Sequence, residues 1–284
     1  MLKLHGTGVA LITPFGENGE IDFPAFKRLI DHVTEGGVDY LVVAGTTGES
    51  ATLTKEEKKQ VLKSALEYNG GRLPVVYGIG GNNTQGILDE IAGTDLTQVT
   101  AILSVSPYYN KPSQAGIVAH YQKIADHSPV PVILYNVPGR TMSNMSWNTT
   151  IELSKHPNII GMKEASSDMS QCMRIASKMP ADFLLISGDD ILTPAMRVMG
   201  GVGVISVLAN AYPALFKKIS HASLEEAENA ASRILDINPL MYEEANPVGV
   251  KALLDLMGIC GDMVRLPLLP ATEDLKRRIR KKML

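Results

Sequence analysis

From the first residues to about position 206, short apolar runs rich in β-branched residues alternate with longer stretches whose apolar positions recur at three and four. The runs end near Ile12, Val43, Tyr77, Leu103, Leu134, Met162, Ile186 and Ile205, with 19 to 34 residues between successive ends. Between them, Phe26, Leu29, Ile30 and Val33, and later Ile117, Val118, Tyr121, Ile124 and Ala125, form one-sided helical stripes. Thr54 and Glu57 have the spacing of a capping box ahead of Val61, Leu62, Ala65 and Leu66, which predicts a helix start there. Eight strand–helix units of this kind close a barrel of about 250 residues. The competing open doubly wound sheet has fewer strands and often a dinucleotide fingerprint, and Gly78, Gly80 and Gly81 do not have its spacing.

Beyond Ile205 the pattern predicts the last barrel helix and then helices over about Ser223 to Asn238, Val248 to Met257 and the tail, with Pro239, Pro247, Pro267 and Pro270 in the connections. The expected fold is therefore α/β: a (β/α)8 TIM barrel over residues 1–222 with a small C-terminal helical extension over 223–284.

Composition narrows the function. The 284 residues are 45% hydrophobic and 20% charged, enough to bury a sizeable core and unlike a disordered or coiled-coil chain. A net charge of −3 gives no electrostatic footprint for nucleic acid or anionic lipid. The run from Lys276 to Lys282 reads as the solvated face and last turn of a terminal helix. Cys172 and Cys260 stand far apart with no ligand spacing and read as reduced and buried or half-buried. Without a secretory leader or an apolar run of ~18 residues, the chain is expected in the cytoplasm and not in a membrane. The six histidines lack ligand spacing, and Asp189 and Asp190, which a metal-dependent aldolase would need as ligands, read instead as a cap for the following helix. No catalytic metal is expected.

In a barrel of this type the reacting groups sit where the strands end. That selects GTTGES (45–50), SPYYNKP (106–112), YNVPGRT (135–141), KEASSD (163–168), SGDD (187–190) and the end of the eighth strand. Lys163 follows the apolar Ile159, Ile160, Gly161 and Met162 and is expected to point into the mouth, where desolvation favours the neutral amine that attacks a ketone to form a Schiff base. The opposing reading is a lysine that snorkels out or pairs with Glu164. Hydroxyls of Thr46, Tyr109 and Tyr135 from three strand ends suit a proton relay, although each alone also fits turn chemistry or a core tyrosine. Arg140 after a Pro-Gly pair suits a carboxylate clamp or a surface ion pair, and the Gly45–Gly48 amides an anion nest.

Taken together, GTTGES, SPYYNKPSQ, YNVPGRT, NIIGMKEAS, LISGDD, GVISV, NPVGVKALL and RLPL, in this order, resemble the dihydrodipicolinate synthase family of pyruvate-dependent class I aldolases nearly end to end. The resemblance implies that Lys163 forms a Schiff base with pyruvate, without any other cofactor, and that Thr46, Tyr109 and Tyr135 relay protons. It implies that Thr47 holds the pyruvate carboxylate, that Arg140 receives the carboxylate of L-aspartate 4-semialdehyde, and that Gly188 and Ile205 line the pyruvate pocket. The implied product, 4-hydroxy-tetrahydrodipicolinate, feeds diaminopimelate and lysine synthesis. The family also implies a homo-oligomer, a tetramer made as a dimer of dimers, in which Tyr109 completes the neighbouring subunit's site.

At the family's lysine feedback site this chain keeps Ser50, Asn82 and Tyr108 but has Lys55, Lys58 and Gly86 where sensitive members carry two histidines and a glutamate. Two cations and a missing carboxylate disfavour a cationic ligand, so weak or absent inhibition by lysine is expected. The alternatives are N-acetylneuraminate lyase or another Schiff-base 2-oxo-acid aldolase, and a keto-acid sensor that binds without turnover. Arg140 and the GTTGES spelling favour the synthase.

Overall fold

The computed structural model describes residues 4–284. Strands β1 (Gly6–Ala10), β2 (Tyr40–Val43), β3 (Val75–Gly78), β4 (Ala101–Val105), β5 (Val132–Asn136), β6 (Ile159–Glu164), β7 (Leu184–Ser187) and β8 (Gly203–Ser206) pair in sequence order, all parallel, and β8 closes on β1. The fold is the expected (β/α)8 TIM barrel. The first strand ends at Ala10, two residues short of Ile12. Leu11 still donates to Val42, but the Ile12 amide is taken by the Asn210 side chain at 3.2 Å, which stops the ladder.

Alternation along each strand divides the core in two. Tyr40, Val42, Val76, Leu103, Ile133, Tyr135, Ile186 and Ile205 fill the barrel interior. Their neighbours Leu41, Val43, Val75, Tyr77, Ile102, Leu134, Met162 and Leu185 face the helices. Each fully buried aliphatic side chain of this set is worth ~1.5–3 kcal/mol of transfer free energy, so the barrel is held by many comparable contributions.

The helical stripes pack as their spacing predicts. In the helix Phe23–Glu35 the buried positions are Ala25, Phe26, Leu29, Ile30 and Val33, and Asp22 caps it by accepting from the Ala25 amide. The capping box of Thr54 and Glu57 starts the helix Lys55–Asn69, which ends on Gly70 in the left-handed region.

The extension departs from expectation in one place. The helix starting at Leu224 stops at Ser232, and the chain tightens through three-residue bonds (Arg233 N–H to Ala230, Ile234 to Ala231) into a turn over Asn238–Met241. Pro239 has no amide to give to the turn before it, and the chain passes through isolated turns, with Asn238 donating to the Ile234 carbonyl at 2.8 Å, instead of one continuous helix. Helices Val248–Leu256 and Glu273–Lys282 follow. In the last, Lys276 pairs with Asp262 at 2.8 Å, Lys282 with Asp236 at 2.7 Å and Arg278 with Glu243, so the basic run is largely neutralised in place. Among the described residues no helix is long and apolar enough to cross a membrane. Cys172 and Cys260 are free and buried, and burial pushes both thiols up to about 12.

Candidate active site

The register of β5 on β6 sets Tyr135 beside Lys163. Both side chains point into the barrel, and the Lys163 Nζ lies 4.5 Å from the centre of the Tyr135 ring. Lys163 is only 6% exposed, so it does not snorkel to solvent. Nor does it pair with Glu164, because successive residues of a strand face opposite sides. The Glu164 carboxylate lies outside the barrel wall, where it accepts from the Ser166 amide at 2.7 Å, the Gln171 amide group at 2.9 Å and Asn136 Nδ2 at 3.1 Å. Burial pushes its pKa up, against these hydrogen bonds, which favour the ionised form. Among the described residues no carboxylate forms a salt bridge with Lys163.

Glu164 also anchors the segment that carries Arg140. Asn136 donates to Asn144 Oδ1 at 2.7 Å and accepts from the Met145 amide at 3.0 Å, and Asn144 donates to Gln171 Oε1 at 3.0 Å. The segment 137–145 is thus pinned at both ends. Arg140 lies within it on the single helical turn Pro138–Thr141, exposed and without an ion pair among the described residues. Its guanidinium fork is free for a planar anion.

The GTTGES turn is bracketed by two residues in the left-handed region, Ala44 (φ 54) and Glu49 (φ 53). This shape requires glycine at the end of β3, because a Cβ on Gly78 would lie 2.3 Å from the Ala44 carbonyl oxygen. Thr46 is half-buried and Thr47 buried, and the Gly48 carbonyl accepts from the Thr13 hydroxyl at 2.7 Å. Two residues of the C-terminal extension meet the turn. Asn246 Nδ2 donates to the Thr47 hydroxyl at 3.0 Å, and Lys251 Nζ donates to Glu49 Oε1 at 2.6 Å. Lys251 is fully buried; it also donates to the Met263 carbonyl and sits 4.2 Å from the centre of the Phe15 ring. Burial pushes its pKa down while Glu49 opposes the shift.

Gly188 follows β7 directly. Its amide donates to the Glu164 carbonyl at 2.8 Å, and a Cβ there would lie 2.5 Å from the Ala165 Cβ. Ile205 faces the barrel interior from β8. The helix Thr193–Val198 has no side-chain cap at its N-cap Leu192, but Asp189 accepts from the Ile191 and Leu192 amides in the turn that leads into it. Asp190 does not: it is buried, accepts from the Leu208 amide at 3.0 Å and so ties the seventh loop to the eighth, and burial raises it to about 6. Among the described residues no group of three His, Cys, Asp or Glu side chains is arranged to hold a metal.

A family model, the dihydrodipicolinate synthetase family, matches residues 3–283. A 4-hydroxy-tetrahydrodipicolinate synthase of Cytophaga hutchinsonii is 52% identical over 98% of this chain and 95% of its own. The enzyme of the same name from Flavobacterium psychrophilum is 47% identical over 98% of this chain and 97% of its own. The solved dihydrodipicolinate synthase of Acinetobacter baumannii, complexed with pyruvate, superposes with a TM-score of 0.96 at 33% identity, covering 99% of this chain and 98% of that one. This chain belongs to the dihydrodipicolinate synthetase family. It is a lyase with the class I aldolase type of site that defines the family.

Within that family frame, the single chain brings Lys163, Tyr135, Gly188 and Ile205 together in the barrel end and fixes Thr46 and Thr47 in a braced turn. It does not bring in Tyr109, which is 88% exposed on a left-handed backbone (φ 70). Of the lysine-site positions, Asn82 donates to the Tyr108 carbonyl at 3.1 Å, Lys58 pairs with Glu90 at 3.3 Å, Lys55 is exposed, Ser50 is half-buried and Gly86 is on the first turn of the helix Thr84–Ala92.

Sequence reasoning missed Asn246 and Lys251 and read Glu164 only as a partner for Lys163. Tyr242, in the same extension, is 39% exposed. The adjacent NPVGVK segment held the only available signal: an asparagine and a lysine in an otherwise apolar stretch.

Proposed function

We infer that the chain condenses pyruvate with L-aspartate 4-semialdehyde, as a 4-hydroxy-tetrahydrodipicolinate synthase, through a Schiff base on Lys163 and with no other cofactor. The observation that carries this is an amine buried inside the barrel end, against the Tyr135 ring and with no carboxylate paired to it among the described residues. Its Nζ attacks the pyruvate C2, and water leaves to give the imine. Loss of a proton from C3 gives the enamine, whose carbon bonds to the aldehyde carbon. The substrate's own amine then adds to the imine carbon, the bond to Nζ breaks, and the ring closes as Lys163 is released. One water is lost overall.

In this reading Thr47 and the turn amides hold the pyruvate carboxylate, Arg140 receives the carboxylate of the aldehyde substrate, and Tyr135, Thr46 and Tyr109 move the protons. The exposure of Tyr109 supports a homo-oligomer, a tetramer as a dimer of dimers, in which that hydroxyl serves the neighbouring site. The reading extends to a cytoplasmic enzyme of diaminopimelate and lysine synthesis. Lysine itself is a poor inhibitor, because Glu90 is already engaged by Lys58 and Gly86 offers no carboxylate to the ligand's ammonium.

The test is borohydride reduction of the protein with pyruvate, followed by peptide mass analysis. A pyruvate-derived mass on the Lys163 peptide is expected, and active protein without it would overturn the mechanism. Replacing aspartate semialdehyde by sialic acid or a keto-deoxy sugar acid in the assay separates the synthase from the other aldolases.

A further inference from the structure

We propose that Asn246, in the C-terminal extension, is a positioning residue for the Thr47 hydroxyl, setting the direction in which that hydroxyl donates. The inference rests on the assignment of Thr47 to the pyruvate carboxylate.

A threonine hydroxyl has one proton to give and two lone pairs to receive on, and it rotates to suit its partners. Asn246 Nδ2 donates to Thr47 Oγ1 at 3.0 Å. With that lone pair occupied by an N–H, the hydroxyl proton has to point away from Asn246. Both side chains are buried, Thr47 at 3% and Asn246 at 7% exposure, so bulk water does not compete for the bond. The Thr47 backbone is fixed by the strained turn between Ala44 and Glu49, and such strain persists only where the surroundings over-determine it. Those surroundings come from the same segment that carries Asn246. Lys251 donates to one oxygen of Glu49 and the Arg265 amide donates to the other at 3.0 Å, while the Lys251 amide donates to the Pro247 carbonyl at 2.9 Å. One short stretch of chain therefore fixes both the backbone of the turn and the rotor on it.

This account separates two near-identical side chains. Asn246→Ala removes the donor and lets the hydroxyl rotate. Asn246→Asp keeps the shape but turns the donor into an acceptor, so it draws the Thr47 proton toward itself and adds a negative charge beside the place assigned to the carboxylate. Loss of one neutral hydrogen bond is worth about 0.5–1.5 kcal/mol, or roughly 2- to 12-fold.

The experiment is steady-state kinetics of the full-length protein with both substrates varied, alongside melting temperatures and borohydride trapping with pyruvate. Asn246→Ala is expected to raise the pyruvate KM roughly 5- to 10-fold with the aldehyde KM changed less than about twofold. Asn246→Asp is expected to be worse than Ala at neutral pH and to recover as the pH falls, when a protonated carboxyl donates again. A space-filling role predicts the reverse order, with Asp the milder. On a Thr47→Val background, Asn246→Ala should have no further effect on the pyruvate KM. If Asn246→Asp does not fold, the Ala variant and this cycle decide. An unchanged pyruvate KM in Asn246→Ala, Asp milder than Ala at neutral pH, or additive effects in the cycle would overturn the inference. Failure of wild-type trapping on Lys163 would instead overturn the assignment on which it rests.

Discussion

The two halves of the barrel mouth are built differently. On the inner half, Lys163, Tyr135 and Thr47 are buried, sit on or beside strand ends, and are held by residues that are themselves buried. On the outer half, Arg140 and Tyr109 are exposed, and their side chains have no ion pair among the described residues. The difference follows the chemistry proposed for each half. A group that must lose a proton and form a covalent bond needs a dry, fixed setting. Arg140, which in this reading captures a charged partner, gains from standing exposed, where it meets the ligand before desolvation, whereas Tyr109 is exposed because the site it serves is the neighbouring subunit's.

Four perturbations test this contrast, in order of decreasing effect. Lys163→Ala removes the nucleophile, so turnover should fall by on the order of 10⁴-fold or more and the trapped adduct should vanish, with the melting temperature little changed. A variant that keeps measurable trapping would break the assignment of the inner half.

Lys251→Met leaves Glu49 charged and unpaired in the interior. Stability should fall by about 3–5 kcal/mol in a denaturant titration, and the double variant Glu49→Gln with Lys251→Met should regain most of it, since a matched neutral pair removes the stranded charge. Equal losses in single and double variants would show that packing around Phe15 dominates.

The third perturbation concerns pH. Asp190, near the inner half, is raised from 3.8 to about 6 by burial, so its contribution to stability is full below pH 3.8 and is lost as the pH rises through about 6. His120, on the helix Gln114–His127, shares a hydrogen bond with the Thr84 hydroxyl at 2.8 Å, and burial lowers it from 6.5 to about 4. Its contribution is full above pH 6.5 and is lost as the pH falls through about 4. The two slopes oppose each other between pH 4 and 6.5. Asp190→Asn removes one of them, so the variant should lose stability on acidification across that window, by on the order of 2–3 kcal/mol, where the parent changes less. Parallel curves for the two proteins would reject the opposition.

The smallest expected effect is at the rim. Arg140→Lys keeps the charge but loses the two-pronged geometry, so the aldehyde KM should rise roughly 10-fold while the pyruvate KM and trapping stay within about twofold. A change confined to the pyruvate KM would reverse the assignment of the two halves.

The barrel was legible because its signals are local. The apolar strand before it put Lys163 inside, and three-four spacing gave the buried faces of the helices Phe23–Glu35 and Gln114–His127. The supports of the inner half were not legible for the opposite reason. Asn246 meets Thr47 across 199 residues of sequence and Lys251 meets Glu49 across 202, and no local period encodes a contact of that span. Glu164 was read only as a partner for Lys163, although its donors Ser166 and Gln171 follow it closely and only Asn136 comes from another strand. The stop at Ser232 was not legible: Pro239 constrains the residue before it and the bond back to Leu235, and neither constraint reaches Ser232.

The ion pair between Glu49 and Lys251 also has a bearing on biosynthesis. A ribosome releases Thr47 and Glu49 ahead of Asn246 and Lys251, which brace them, by 199 and 202 residues. A nascent product that stops short of Asn246 thus owns the lysine and the tyrosine but not the finished cradle beside them, and assembly of the pocket waits for that later segment.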